Sequence, residues 1–129
     1  MAIYNFTNHS VSFFRAEDCN FSDPRRVTVR DGAVPYYTLS AGAPLNAHKG
    51  NKPLDPKFTA PVPLKGAVDF VSYDPLPEYV SENDICVVSA LYRAAVQALG
   101  GDTTNLALID TPVYDPTGKV VGCIGLSVG

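Results

Sequence analysis

The chain predicts an α+β fold: a mostly antiparallel or mixed β-sheet, one principal α-helix packed on it, and a long Pro-rich loop. Three observations carry this. Short apolar or alternating runs recur along most of the sequence, the period of strands. Only residues 89–99 repeat apolar positions at helical spacing. Residues 40–66 show no period and hold five prolines and three glycines. At 129 residues, with no internal repeat, the chain is expected to form a single domain, 1–129.

In chain order, Ala2 to Phe14 reads as strand, polar turn, strand. Ile3 and Phe6 lead into Thr7-Asn8-His9-Ser10, and Val11, Phe13 and Phe14 follow; Asn tolerates left-handed backbone, and Ser and Thr cap locally. Arg25 to Arg30 alternates as R-R-V-T-V-R, a half-exposed strand, and Ala33 to Leu39 is a further β-type run. Ser40 to Gly66 is expected to be an extended excursion rather than regular structure, pinned by Leu45, Leu54, Phe58, Val62 and Leu64. Ala67 to Tyr73 returns to strand composition. Asp84 to Ser89 is an apolar strand running into a helix capped by Ser89, whose Leu91, Ala94, Ala95, Ala98 and Leu99 share a face and which Gly100-Gly101 stops. Asn105 to Asp110 is another strand. Asp115-Pro116-Thr117-Gly118 is a turn, and Lys119 to Val128 closes the sheet.

Composition narrows the function classes. Hydrophobic residues make up 46% and charged residues 18%, which is globular rather than disordered composition. A net charge of −3 and a pI near 5.1 exclude a generic binder of long nucleic acid, which needs uncompensated Lys and Arg. A small anionic ligand needs only a few local donors and stays open. Cys19, Cys86 and Cys123 form no C-x-x-C pair, so a reducing compartment is expected, with neither metal nor disulfide framework and no cofactor. No apolar run approaches membrane-spanning length and no secretory leader is read, which gives a cytoplasmic expectation. The N-x-S/T matches at Asn5, Asn8 and Asn20 are read as local hydrogen-bonding residues.

Phosphate loops, G-x-S-x-G and H-E-x-x-H are all absent from the sequence, and two histidines, His9 and His48, cannot build a multi-histidine metal centre. A non-catalytic binding protein is therefore expected. Three groups of residues remain as candidates. The start of the helix at Ser89, with Arg93 one turn along, would attract phosphate through unpaired N–H groups, although a cap alone explains Ser89. Asn5, Thr7 and His9, with Arg15 beyond, could read a base or ribose, although such side chains commonly satisfy a turn. Asp110 and Thr111 follow an apolar run at what reads as a strand end, where a turn role is equally ordinary. Arg26, within the trio Arg25, Arg26 and Arg30, could clamp an anion or simply guard an edge strand.

The ends of the chain carry a resemblance. I-Y-N-F-T-N-H-S-V-S-F at the N-terminus, V-V-S-A-L from Val87, D-T-P from Asp110 and D-P-T-G-K-V-V-G-C-I-G-L from Asp115 resemble a family of small phage and bacterial proteins whose first strand reads N-L-T-P-H. The likeness covers roughly the first fifteen and last forty-five residues. Asn8 stands where that family has proline. In layout the chain is more distantly similar to the viral ring nucleases, but Ala90-Leu91-Tyr92 replaces their helix-start histidine. The phage-type resemblance, with polar residues gathered at the strand–helix junctions, gives the expectation of an anti-defence protein that sequesters a nucleotide-derived immune signal, cyclic or ADP-ribose-type, as a homo-oligomer in the host cytoplasm. The alternative is a structural or interaction protein, a virion accessory or direct inhibitor, that works through its Pro-rich loop.

Overall fold

The computed structural model describes residues 1–129, the side chain of Val68 excepted. It is an α+β fold with a mixed sheet and one α-helix among the described residues. The principal sheet is built from β1 (Ile3–Asn5), β2 (Val11–Phe13), β3 (Cys19–Asn20), β4 (Val27–Val29), β5 (Tyr37–Leu39), β8 (Ile85–Val87), β9 (Leu106–Tyr114) and β10 (Val120–Val128). A second, two-stranded sheet pairs β6 (Ala47–Asn51) with β7 (Val68–Tyr73), and α1 spans Ala90–Ala98.

The strand order is β1-β8-β9-β10-β2-β5, with β1, β8 and β9 mutually parallel and β10 antiparallel to β9. β4 joins β9 higher up, Val27 opposite Val113, on the edge that β8 leaves after Ala107. Although β1 and β5 are the two ends of this order, the sheet curls until they meet. The Asn5 side-chain amide donates to the Ser40 carbonyl at 3.1 Å, with the Leu39 carbonyl at 3.5 Å. The backbone beyond β5 then tracks the exit of β1, Gly42 N–H donating to Thr7 O and Leu45 N–H to Phe6 O. A Cβ at Gly42 would run into the Asn5 carbonyl, so this approach requires glycine. On the inside of the curl Val11, Phe13, Leu39, Val87 and Cys123 form a buried cluster, joined by Ile3 and Leu126.

The helix covers the outer face. Phe6, Cys86, Val88 and Leu106 pack against Tyr92 and Val96, and the Ser89 hydroxyl caps the first turn by accepting from Tyr92 N–H at 3.1 Å. A nine-residue helix is too short to persist alone, so tertiary packing holds it. The Tyr92 hydroxyl, its pKa pushed up to about 12 by burial and then by Tyr73 and Asp74, donates to the Asp74 carbonyl at 2.6 Å and anchors the foot of the β6–β7 hairpin. A third cluster, Phe14, Cys19 and Val113, closes the sheet beyond β4.

Two expectations change. The span 40–66 is not irregular throughout: Ala47–Asn51 is a strand, and the excursion is the tip of a hairpin. Asp110-Thr111-Pro112 is not a strand end either, because β9 runs through it to Tyr114. Proline fits there because β8 has already departed and β4 pairs only from Val113.

Two outcomes follow for stability. Asn5→Ala strands the Thr7 N–H and the Ser40 carbonyl, and is expected to cost about 2–3 kcal/mol in urea unfolding. Asp84 accepts from Ser81 N–H and Ala2 N–H, both at 2.9 Å, and these backbone hydrogen bonds, Ser81's foremost, hold its carboxyl below the usual carboxylate range. A depressed folded-state pKa contributes stability that is complete above the unfolded value, about 3.9, and is lost as the pH falls through the folded one. Urea midpoints should therefore fall on acidification below about pH 4 more steeply for the wild type than for Asp84→Ala.

Candidate functional site

The nine residues singled out in the sequence fall into four places. Asn5 and Thr7 belong to one hydrogen-bonded turn. Besides its bond to Ser40, the Asn5 amide donates to the His9 carbonyl at 2.8 Å, while its Oδ1 accepts from Thr7 N–H at 3.0 Å and the Thr7 hydroxyl at 2.6 Å. Both amide hydrogens and both oxygen lone pairs are thereby used, so the side chain has nothing left to offer a ligand. The His9 ring remains exposed.

Ser89 lies at the same end of the sheet, since β1 and β8 run parallel with Asn5 opposite Val87. Its hydroxyl is committed to the cap, and Arg93, half-buried, follows one turn later. Arg26 sits far from this group, its guanidinium 4.7 Å over the Tyr114 ring beside the turn between β9 and β10.

Arg15 is at the opposite end of the sheet from the Asn5–His9 turn. It follows β2, and its guanidinium stacks 4.6 Å over the ring of Tyr36. A single site combining Arg15 with His9 and Ser89 is therefore not what the fold builds. The ring it stacks on, Tyr36, is one wall of a cavity of about 250 Å³ lined also by Ile3, Phe13, Tyr37, Ile124 and Leu126, with Gly125. The curl creates it: the edges meet at Asn5, and the lower ends of β1, β2, β5 and β10 leave an opening between them. Tyr36 and Tyr37 are each 52% exposed, and the Tyr37 ring lies 6.0 Å from Phe13. Asp110 stands opposite the lining residue Gly125 in the β9–β10 ladder, and its neighbour Thr111 is held at φ 53°, a left-handed conformation that costs a threonine energy.

Tyr36 and Tyr37 were not picked out in the sequence. The signal was the doublet Pro35-Tyr36-Tyr37, two adjacent large aromatics of which a strand can bury only one.

A second cleft, of about 270 Å³, lies on the helix side between Tyr4, Phe6, Tyr79, Pro44, Leu45 and Pro77. The Tyr4 and Tyr79 rings meet edge to face at 5.2 Å.

The three cysteine thiols are buried. Burial pushes the Cys86 and Cys123 thiols up to about 11 and raises that of Cys19, so thiolate nucleophiles are not populated at neutral pH. Among the described residues no three His, Cys, Asp or Glu side chains group as metal ligands, and no helix is long and apolar enough to cross a membrane. Comparison with protein-family models, curated proteins and solved structures brings no match.

Proposed function

We propose that the chain is a binding protein for a small anionic ring-bearing ligand, a nucleotide-derived signal of cyclic or ADP-ribose type, taken in the Tyr36–Tyr37 cavity. The observation that carries this is the Arg15 guanidinium stacked on Tyr36, a wall of an aromatic-lined opening. Arg joins phosphate through paired N–H donors, and tyrosine faces stack on a base without regard to its edge. Asp110, on the adjacent strand, supplies an acceptor for a ribose hydroxyl. Small-molecule sites run from about 300 Å³ upward, so an opening of about 250 Å³ suits one base and leaves the phosphate outside with Arg15. Sequestration of an immune signal by a phage-type protein rests on the resemblance at the chain ends.

The test is a melting-temperature and titration screen against cyclic oligoadenylates, cyclic dinucleotides and ADP-ribose-type nucleotides. One of them should raise the melting temperature and be recovered intact after denaturation. Arg15→Ala and Tyr36→Ala should each weaken it roughly tenfold to a hundredfold, the loss of one charge-assisted contact or one stacked ring. No shift across the panel would sink the proposal. Retained affinity in both variants, with loss in His9→Ala, would move the site to the other end of the sheet.

A second proposal, a structural or protein-interaction role, is favoured by the hairpin tip. Leu54, Phe58, Val62 and Leu64 are 38–60% exposed there. Because β6 is a strand, excising residues 40–66 would damage the fold. Replacing residues 54–64 by a short turn keeps both strands and is expected to abolish capture of a defined bacterial target. Undiminished capture by that variant counts against this role.

A further inference from the structure

The tip of the β6–β7 hairpin and the Tyr4–Phe6–Tyr79 cleft are chemically matched yet kept apart within one molecule. At the tip, Pro61-Val62-Pro63-Leu64-Lys65 is exposed throughout. Its two prolines lack N–H donors and hold φ near −65°, which restricts the backbone before it meets anything, with the chain bending at Pro61 and Val62. Segments of this kind dock in grooves walled by aromatic rings, where preset backbone geometry lowers the entropic cost of binding. The cleft has such walls in Tyr4, Phe6 and Tyr79, with Pro44, Leu45 and Pro77 completing it. Tyr79, held against Tyr4 and Phe6 at one edge, is still 64% exposed and presents its outer surface to the cleft.

Charge agrees with shape. Lys52 and Lys57 have carboxylate partners within the hairpin, Asp69 at 3.2 Å and Asp55 at 3.7 Å. Among the described residues Lys65 has no carboxylate partner, and neither does any cation pair with Glu78, which stands between the lining residues Pro77 and Tyr79.

The tip cannot serve its own cleft. Leu45 and Pro77 lie at the foot of the hairpin, where Asp74 N–H donates to Asn46 O and the Asp74 carboxylate accepts from Asn46 N–H. Between foot and tip stands the Ala47–Asn51 ladder, prolonged by Lys52 N–H to Ala67 O and spanning about 17 Å at strand rise. A rigid ladder of that length holds the tip away from the foot.

We propose that Pro61–Lys65 of one copy seats in the Tyr4–Phe6–Tyr79 cleft of a second copy, with Lys65 against Glu78, and that the exchange is reciprocal. A two-fold axis makes both contacts at once, and the same surfaces appear on each side. The Tyr36–Tyr37 cavity takes no part, so the fate of this proposal is independent of nucleotide binding.

Sedimentation equilibrium of the full chain over a wide concentration range tests it. The wild type should dimerise. Tyr79→Ala, and separately the pair Val62→Asp and Leu64→Asp, should each weaken the dimer by at least about tenfold with unchanged circular dichroism, since all three side chains are exposed. Mixing those two variants should restore a weaker heterodimer, because one intact tip then meets one intact cleft. Lys65→Glu should weaken the dimer, and Lys65→Glu with Glu78→Lys should recover it. A wild type that stays monomeric at every concentration overturns the proposal, as does a dimer indifferent to Tyr79→Ala. A monomer whose Tyr4 and Tyr79 signals respond to a synthetic peptide of residues 60–65 would assign the cleft to a foreign Pro-rich segment and overturn the second-copy assignment.

Discussion

A curled sheet must hide two edges, and here one side-chain amide brings them together. Asn5 ends β1, Leu39 and Ser40 end β5, and these strands lie at opposite limits of the strand order. Unpaired edges invite other chains, and a curl that stops short of closure leaves them open. Asn5 spans the gap with donors on one side and acceptors on the other, a combination that no carboxylate offers. Gly42 lets the backbone pass close enough for the bond to form. The inner cluster of Val11, Phe13, Leu39, Val87 and Cys123 depends on this closure, because its members come from strands that a flat sheet would hold far apart.

Closure at one end also explains the opening at the other. A second pinch operates at Gly122, where a Cβ would strike the Ser12 carbonyl and the Phe14 ring, so β10 and β2 approach tightly there. The register of β9 with β10 shifts between Val120 and Gly122, the kind of irregularity that bends a strand. Strands drawn together at the Asn5 end splay toward Ile3, Tyr36 and Leu126, and the space between them is the aromatic cavity. On the outer face the same strands present Cys86, Val88 and Leu106 to the helix, and Tyr92 carries the hairpin through its bond to Asp74. The foot of the hairpin is thus tied to the helix, through an edge-to-face contact of Tyr73 with Tyr92 at 5.9 Å, and Tyr73 and Leu45 also pack against the Phe6, Cys86 and Leu106 cluster.

The helix and its cap were legible because Ser89 and Gly100-Gly101 bracket it, but its inward face was not: Tyr92, Ala95 and Val96 are buried, whereas Leu91, Ala94, Ala98 and Leu99 of the expected apolar face are exposed. The strands at 85–87 and 120–128 were legible for the same reason. β6 was not. Its sequence Ala-His-Lys-Gly-Asn has no apolar face, since the hairpin leaves His48, Lys49 and Asn51 exposed, and its pairing partner lies beyond the sixteen residues 52–67, rich in prolines and lysines. The course of β9 through Pro112 was hidden by the usual rule that proline ends strands, which yields here because neither β8 nor β4 pairs with β9 at that residue. Of the candidate residues, Asn5 was conspicuous for its turn, but nothing local shows that its amide is spent on Ser40, thirty-five positions away. Arg15 and Tyr36 likewise meet only because β2 and β5 pair.

These placements separate two kinds of polar residue. Asn5, Thr7 and Ser89 sit where the ends of β1, β5 and β8 converge, and the backbone there has unpaired donors and acceptors that must be satisfied internally. Side chains recruited to that task are rich in hydrogen-bonding capacity on paper and poor in what they can give a ligand. At the splayed end the polar demand is lower, because the strand termini open to solvent. Arg15 there is held by a ring face rather than by a carboxylate, so all of its N–H donors stay available while its position is fixed. The residue with unsatisfied side-chain donors thus stands beside the Tyr36 ring, while the side chains of the polar-dense turn are spent on the backbone.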